Sequence, residues 1–355
     1  MNGLRDIFFS TNHNSPRSTY SLARMLILSE NDLRRVLNMA DVISAVEIGF
    51  RALARGDAAA PSRLHLAIPE EGGVLLEMPA RARLGAASND LKSAVGTKVV
   101  TVFENNSARN IATVQAVYLL LDGETGSPLA LMEGRFITAI RTAATSALAT
   151  RLLATGGPKQ LGIYGAGVQA EFHIEAMLQV SEVVTVMIAS RTEAKAAALA
   201  ERASAAYNVR CETVAPDEAV LRADLICTCT GSPAPLFEGR MIRPGTHINA
   251  VGAFTPATRE LDTEAVRRAR LFIDAREAAG CEAGEIVMPI AEGAIDSAHV
   301  KGTLAELITG EVPGRVSLEE ITVFKSSGLA IEDLVTARLA YERALAEAVG
   351  VSVAL

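Results

Sequence analysis

Residues 161–180 read LGIYGAGVQAEFHIEAMLQV, and this stretch decides the fold. An apolar run, Leu161 to Tyr164, is broken by Gly165 and Gly167 and passes at once into a segment with helical spacing. Gly165, Gly167 and Ala170 stand in the pattern GxGxxA, where each small residue has its own task. The tasks are a tight turn, close approach of backbone to a pyrophosphate, and close packing of helix on strand. The helix start adds unpaired N–H groups and the positive end of its dipole. A glycine pattern alone is weak evidence, but a second strand-like run, VTVMIAS, follows at the length of a βαβ unit. The expectation is a dinucleotide cradle made by Gly165, Ala166, Gly167, Val168 and Gln169.

That second run ends in Ser190-Arg191-Thr192, where an NAD-preferring site usually places an acid for the ribose 2′-hydroxyl. An arginine between two hydroxyls suits a 2′-phosphate instead, which an aspartate would repel. NADP(H) is therefore the expected cofactor, with NAD(H) left open. Beyond the cradle, strand and helix patterns keep alternating through ADLICTCT, THINAVG, EAVRRA and RLFIDA, the signature of a doubly wound parallel α/β sheet.

Ahead of the cradle the pattern differs. Ser29 to Arg55 reads as one helix, capped at Ser29 or Asn31 and stopped by Gly56. Several strand-like runs follow, among them AVYLLLD and SPLALME around the turn residues DGETG, a hairpin signal. Consecutive antiparallel strands point to an α+β first part. The C-terminal GLAIEDLVTARLAYERALAEAVG is an amphipathic helix long enough to return to it. Residues 1–24 are polar and aperiodic and read as a disordered extension.

A chain of 355 residues, 49% hydrophobic and 21% charged, fits a soluble two-domain protein. A formal charge of −7 argues against nucleic acid or anionic lipid as a general partner. No apolar run of about 20 residues appears, and the N-terminus lacks the order of a signal peptide, so no membrane contact and a cytoplasmic location are expected. The four cysteines, Cys211, Cys227, Cys229 and Cys281, form no CxxC pair and read as reduced thiols. No histidine pair has ligand spacing, and no metal is expected.

Three cations fall near strand ends or a helix start: Arg63 in PSRLHL, Lys98 in GTKVV and Arg141 in AIRTAAT. Lys98 and Arg141 are set among apolar residues, where an unpaired charge is costly, so an anionic partner is expected. A substrate carboxylate would supply it.

The stretches GTKVVTVFENNSARN, LMEGRFITAIRTAATSALAT, LGIYGAGVQAEFH, INAVGAFTPATRELD and VFKSSGLAIEDL together resemble the ornithine cyclodeaminase/μ-crystallin family, over Met25 to the C-terminus. The resemblance implies a Rossmann-type NADP-binding domain, residues 144–325, inserted into an α+β substrate-binding and dimerisation domain, residues 25–143 plus 326–355. It also implies a homodimer and chemistry on a small imino or amino acid. Arg63, Lys98 and Arg141 match the family's carboxylate-binding positions, and Glu77 in LEMPA matches an acidic position facing the substrate amine. Thr142 matches a cofactor contact, Val251 and Gly252 lie near the nicotinamide, and Lys325 and Ser326 close the pocket.

One departure redirects the expected reaction. Ornithine cyclodeaminases carry an acid/base aspartate after NAVGG; here NAVGAFTP puts Phe254 in its place, and a phenyl ring exchanges no protons. A protonated imine needs mainly orientation, hydride and one proton source. The expectation is therefore reduction of a cyclic imino acid to the L-amino acid, with Lys98 tuning or supplying the proton and Glu77 orienting it. Ornithine cyclodeamination, an alanine dehydrogenase reaction and a non-catalytic cofactor-binding role are the alternatives.

Overall fold

The computed structural model describes residues 24–84, 93–276 and 283–355. Of the extension expected to be disordered, Arg24 alone is among them, and it opens a strand, β1 (Arg24–Leu28). The remainder of that expectation, with Cys281, lies outside the described residues. The run from Ser29 to Arg55 forms two helices rather than one, α1 (Glu30–Val36) and α2 (Met39–Ala54). Ser29 caps the first in a capping box with Asp32. Asn38 breaks the run because its side chain accepts from the Asp41 N–H and starts the second helix. The hydrophobic spacing continues across the break, so periodicity alone does not reveal it.

The strands β2 (Ala58–Ala59), β3 (Leu64–Ile68), β4 (Gly73–Arg83), β5 (Ser93–Phe103), β6 (Val114–Asp122) and β7 (Pro128–Glu133) follow. β4 to β7 form an antiparallel meander, and the β6–β7 pair is the hairpin expected at DGETG. Together with the C-terminal β16 (Val351–Ala354) they build one sheet, in the order β16-β1-β7-β6-β5-β4-β2, with β3 also paired to β4.

Helix α3 (Gly134–Leu153) then carries the chain to a second sheet. It runs unbroken through residues 143–144 and is buried along most of its length. Its face of Ala139, Ala143, Ala144 and Ala147 lets neighbouring helices approach closely.

Eight parallel strands form that second sheet: β8 (Lys159–Tyr164), β9 (Val183–Ala189), β10 (Arg210–Thr213), β11 (Leu225–Thr228), β12 (His247–Ala250), β13 (Ala269–Ile273), β14 (Val300–Thr303) and β15 (Ile321–Lys325). Their order, β10-β9-β8-β11-β12-β15-β13-β14, reverses direction between β8 and β11, a topological switch point. The connecting helices are α4 (Val168–Val180), α5 (Glu193–Tyr207), α6 (Pro216–Arg222), α7 (Thr263–Arg268), α8 (Gly284–Ala291) and α9 (Leu304–Thr309). β11, β12 and β15 are buried on both faces, so the polar residues within them, His247, Asn249, Thr322 and Lys325 among them, are buried too.

The expected doubly wound sheet and α+β part are both present. Helix α10 (Ala330–Ala346) returns from β15 and packs on β4, β5 and β6 as well as on α2 and α3. It is buried nearly throughout its first ten residues, so its acidic pair Glu332-Asp333 enters the core rather than solvent.

Candidate active site

Gly165 ends β8 at the switch point with φ +111°, a conformation that favours glycine. A Cβ there would stand 2.6 Å from the Cys229 carbonyl oxygen, so the ends of β8 and β11 touch. Gly167 is the N-cap of α4 without a side-chain bond, and a Cβ on it would meet nothing within 4 Å. Beside it the Gln169 Oε1 is buried without a partner among the described residues. The open space, the uncapped helix start and the unsatisfied oxygen fit a dinucleotide pyrophosphate. They open on a groove of about 940 Å³ walled by Gly165–Gln169, Ser190–Thr192 and Cys229–Ser232, with Thr138 and Ala139 of α3 opposite.

Arg191 and Lys195 both border this groove, and no ion pair or hydrogen bond holds either side chain among the described residues. Thr142, Val251, Gly252, Lys325 and Ser326 are not part of the groove wall. Lys325 is fully buried instead, its Nζ 3.2 Å from Glu285 Oε2 and donating to the Ala253 carbonyl. Ser326 is also buried. Neither therefore lies on the groove wall, and the pocket-closing role expected of them stays an expectation.

The three cations converge. Arg63 donates to the carbonyls of Ser327 and Gly328 at 2.6 and 3.0 Å. Gly328, at φ +81°, lies against the Arg141 guanidinium so tightly that a Cβ would fall 2.6 Å from Nη1. Lys98 feels the charges of both arginines.

The anion expected from a substrate is already supplied in part by the chain itself. Lys98 Nζ donates to both oxygens of Asp333 at 3.0 and 2.9 Å. Arg141 Nε donates to Asp333 at 3.0 Å and Nη1 to Glu332 at 2.6 Å. Burial lowers the Lys98 pKa to about 8, against the opposing pull of Asp333. An ammonium carries three N–H bonds, so Lys98 keeps one beyond those given to Asp333.

Glu77 is not brought to this cluster. Lys98 pairs with Met78 across β4 and β5, and side chains alternate along a strand, so Glu77 projects from the opposite face. There its carboxylate accepts from the Thr97 hydroxyl at 3.4 Å. The structure thus does not bring Glu77 to Lys98, the partner the expected proton-orienting role requires.

Sequence reasoning missed the acids. Asp274, at the end of β13, accepts from the backbone N–H groups of Ser327 and Gly328 and so holds the loop on which Arg63 and Arg141 converge. Glu260 is fully buried and accepts four hydrogen bonds. Burial raises the pKa of both, opposed for Glu260 by Lys325 and the threonine donors. A signal was available: Glu332-Asp333 interrupts an otherwise apolar helix start, and Asp274 ends an apolar strand.

A parallel sheet wound both ways about a glycine turn, joined by a buried helix to an α+β layer, defines a Rossmann-type fold. Residues 24–348 match the ornithine cyclodeaminase/mu-crystallin family, and the chain belongs to that family. It is 37% identical over 328 residues to a Delta(1)-pyrroline-2-carboxylate reductase of Bacillus cereus, covering 92% of this chain and 98% of the relative. The Thermococcus litoralis Delta(1)-pyrroline-2-carboxylate reductase, solved in complex with NADH and L-proline, superposes with a TM-score of 0.88 at 41% identity over 93% of this chain and 100% of that one. An archaeal alanine dehydrogenase dimer with bound NAD gives 0.86 at 33% identity over 93% and 99%.

Proposed function

We propose that the protein is an oxidoreductase that reduces a cyclic imino acid, Δ1-pyrroline-2-carboxylate or Δ1-piperideine-2-carboxylate, to L-proline or L-pipecolate. The observation that carries this reading is the convergence of Arg63 and Arg141 on the Ser327–Gly328 loop at the carboxyl edge of the second sheet, with Lys98 joined to Arg141 through Asp333 and within reach of both arginine charges. Arg141 keeps N–H donors beyond its bonds to Asp333 and Glu332, and these suit a substrate carboxylate, while the one N–H that Lys98 keeps beyond Asp333 is left for the imine nitrogen. A nicotinamide dinucleotide, when bound in the groove, supplies the hydride.

Held by its carboxylate, the substrate has its imine carbon fixed in orientation, which removes much of the entropic part of the barrier. Lys98, with its pKa near 8, is mostly protonated at neutral pH and passes a proton to the ring nitrogen as that becomes an amine. Phe254, 43% exposed, offers no acid or base where ornithine cyclodeamination would need one.

We assign NADP(H) as the preferred cofactor on the strength of Arg191 and Lys195 at the groove rim. The Thermococcus and archaeal relatives carry NADH and NAD, so the two cofactors must be compared directly. The outer face of the first sheet exposes Leu64, Leu66 and Val117, an apolar surface suited to a second copy of the chain.

The test is consumption of reduced cofactor at 340 nm with each cyclic imine and with NADPH or NADH. No oxidation above the enzyme-free rate with either imine would sink the proposal. Oxidation that depends instead on pyruvate plus ammonia would favour the alanine dehydrogenase reading, to which the archaeal relative lends support.

A further inference from the structure

Dinucleotides lie across the switch point of a doubly wound sheet, one mononucleotide half over each wing. The wing of β8 and β9 ends in the glycine turn and Arg191, so the other half falls over β11, β12 and β15. Two loops receive it: Cys229–Ser232 after β11, which borders the groove, and Val251–Phe254 after β12.

One carboxylate joins these loops. Glu260 accepts from the Thr230 N–H and hydroxyl, both at 2.7 Å, through one oxygen, and from the Thr228 hydroxyl and Gly252 N–H, both at 2.7 Å, through the other. Its own N–H donates to Glu285 at 2.8 Å, and Glu285 lies 3.2 Å from the Lys325 ammonium that binds the Ala253 carbonyl. Residues 252 and 253 are thus held on the amide side by Glu260 and on the carbonyl side by Lys325. The loops also touch, since a Cβ on Gly252 would lie 2.0 Å from the Thr230 carbonyl oxygen.

From this geometry we infer that Glu260 is a positioning residue: it clamps the two strand-end loops into the shape that receives the nicotinamide half of the dinucleotide. The inference rests on the dinucleotide reading of the groove, but on no particular imino acid. Four donors on two oxygens require a carboxylate, because an amide replaces one acceptor by a donor.

Glu260→Gln and the milder Thr228→Val, which removes one of the four bonds, separate this role from a general one. The probes are NADPH, whose own fluorescence reports binding in a chain without tryptophan, and 2′-phospho-ADP-ribose, which lacks the nicotinamide. Glu260→Gln is expected to weaken NADPH binding and lower kcat by roughly tenfold or more, as loss of a hydrogen bond to a buried charge does. Binding of 2′-phospho-ADP-ribose stays within about twofold of wild type, and Thr228→Val shows a smaller shift in the same direction.

Equal weakening of both probes, or wild-type NADPH binding and kcat in both variants, would overturn the inference. Failure of wild type to reduce any imine would sink the proposed reaction and leave the two-probe comparison intact. Should Glu260→Gln fail to fold, Thr228→Val carries the comparison alone, and its failure to distinguish the probes counts against the clamp.

Discussion

Asp333→Asn tests the cation cluster most sharply. Asp333 accepts two bonds from Lys98 and one from Arg141, all between 2.9 and 3.0 Å, and the three side chains are buried. Removing one member of a buried ion pair costs about 3–5 kcal/mol, because the remaining charges stay in a dry place without their partner. Asparagine keeps the shape and one acceptor oxygen, so the lower end, about 3 kcal/mol, applies.

With an unfolding entropy of about 2.1 cal/mol/K per residue, a chain of 355 residues shifts by about 1.3 °C per kcal/mol, so the melting temperature falls by about 4 °C. A second effect follows from the same change. The pKa of Lys98 is about 8 because burial lowers it and Asp333 holds it up; without that carboxylate it drops further. The alkaline limb of kcat/KM, set by loss of the Lys98 proton, therefore moves to lower pH. Circular dichroism melts and a pH profile of imine reduction measure the two effects. A melting temperature within about 1 °C of wild type together with an unmoved alkaline limb would refute the account of the cluster.

Arg191→Asp is expected to lower kcat/KM for NADPH by roughly ten- to hundredfold while sparing NADH, the loss of a charged contact to the 2′-phosphate; steady-state kinetics with both cofactors decide it. Gly165→Ala forces a side chain to φ +111° and to within 2.6 Å of the Cys229 carbonyl oxygen, so cofactor affinity measured by NADPH fluorescence drops roughly tenfold or more. Burial between Ser146 and the Gln169 carbonyl lowers the pKa of His173 from 6.5 to about 4. Below pH 6.5 the unfolded chain then takes up a proton that the folded chain refuses. Stability at this site is complete above about pH 6.5 and is lost as pH falls, by about 2 kcal/mol between pH 6.5 and 5. His173→Gln should show a shallower decline of melting temperature over that window.

Much of the architecture is legible in local signals. The GxGxxA turn, the DGETG hairpin and the alternation after residue 160 are each set within about twenty residues by steric and hydrophobic preferences that act along the chain. The break at Asn38 escaped because a capping bond to the Asp41 N–H competes with a hydrophobic spacing that runs straight through it. Glu77 escaped for a related reason: strand parity turns on a single residue, and a shift of one position moves a side chain to the other face of the sheet.

The amino-acid sequence by itself determined a glycine turn between strand and helix, a parallel sheet after an antiparallel one, and cations in apolar surroundings that needed an anion. Only the tertiary structure decided which anions are near. Lys98 meets Asp333 across 235 positions of sequence, and Arg141 meets Glu332 across 191. Packing of α10 over β4 to β6 brings them together, and no local preference encodes that distance. The same holds for Glu260, whose four donors come from the ends of two successive strands, β11 and β12, that the sheet sets side by side about twenty residues apart in sequence. A buried charge states in the sequence that it must be satisfied; which group satisfies it is settled when the layers pack, because desolvation penalises every arrangement that leaves it alone.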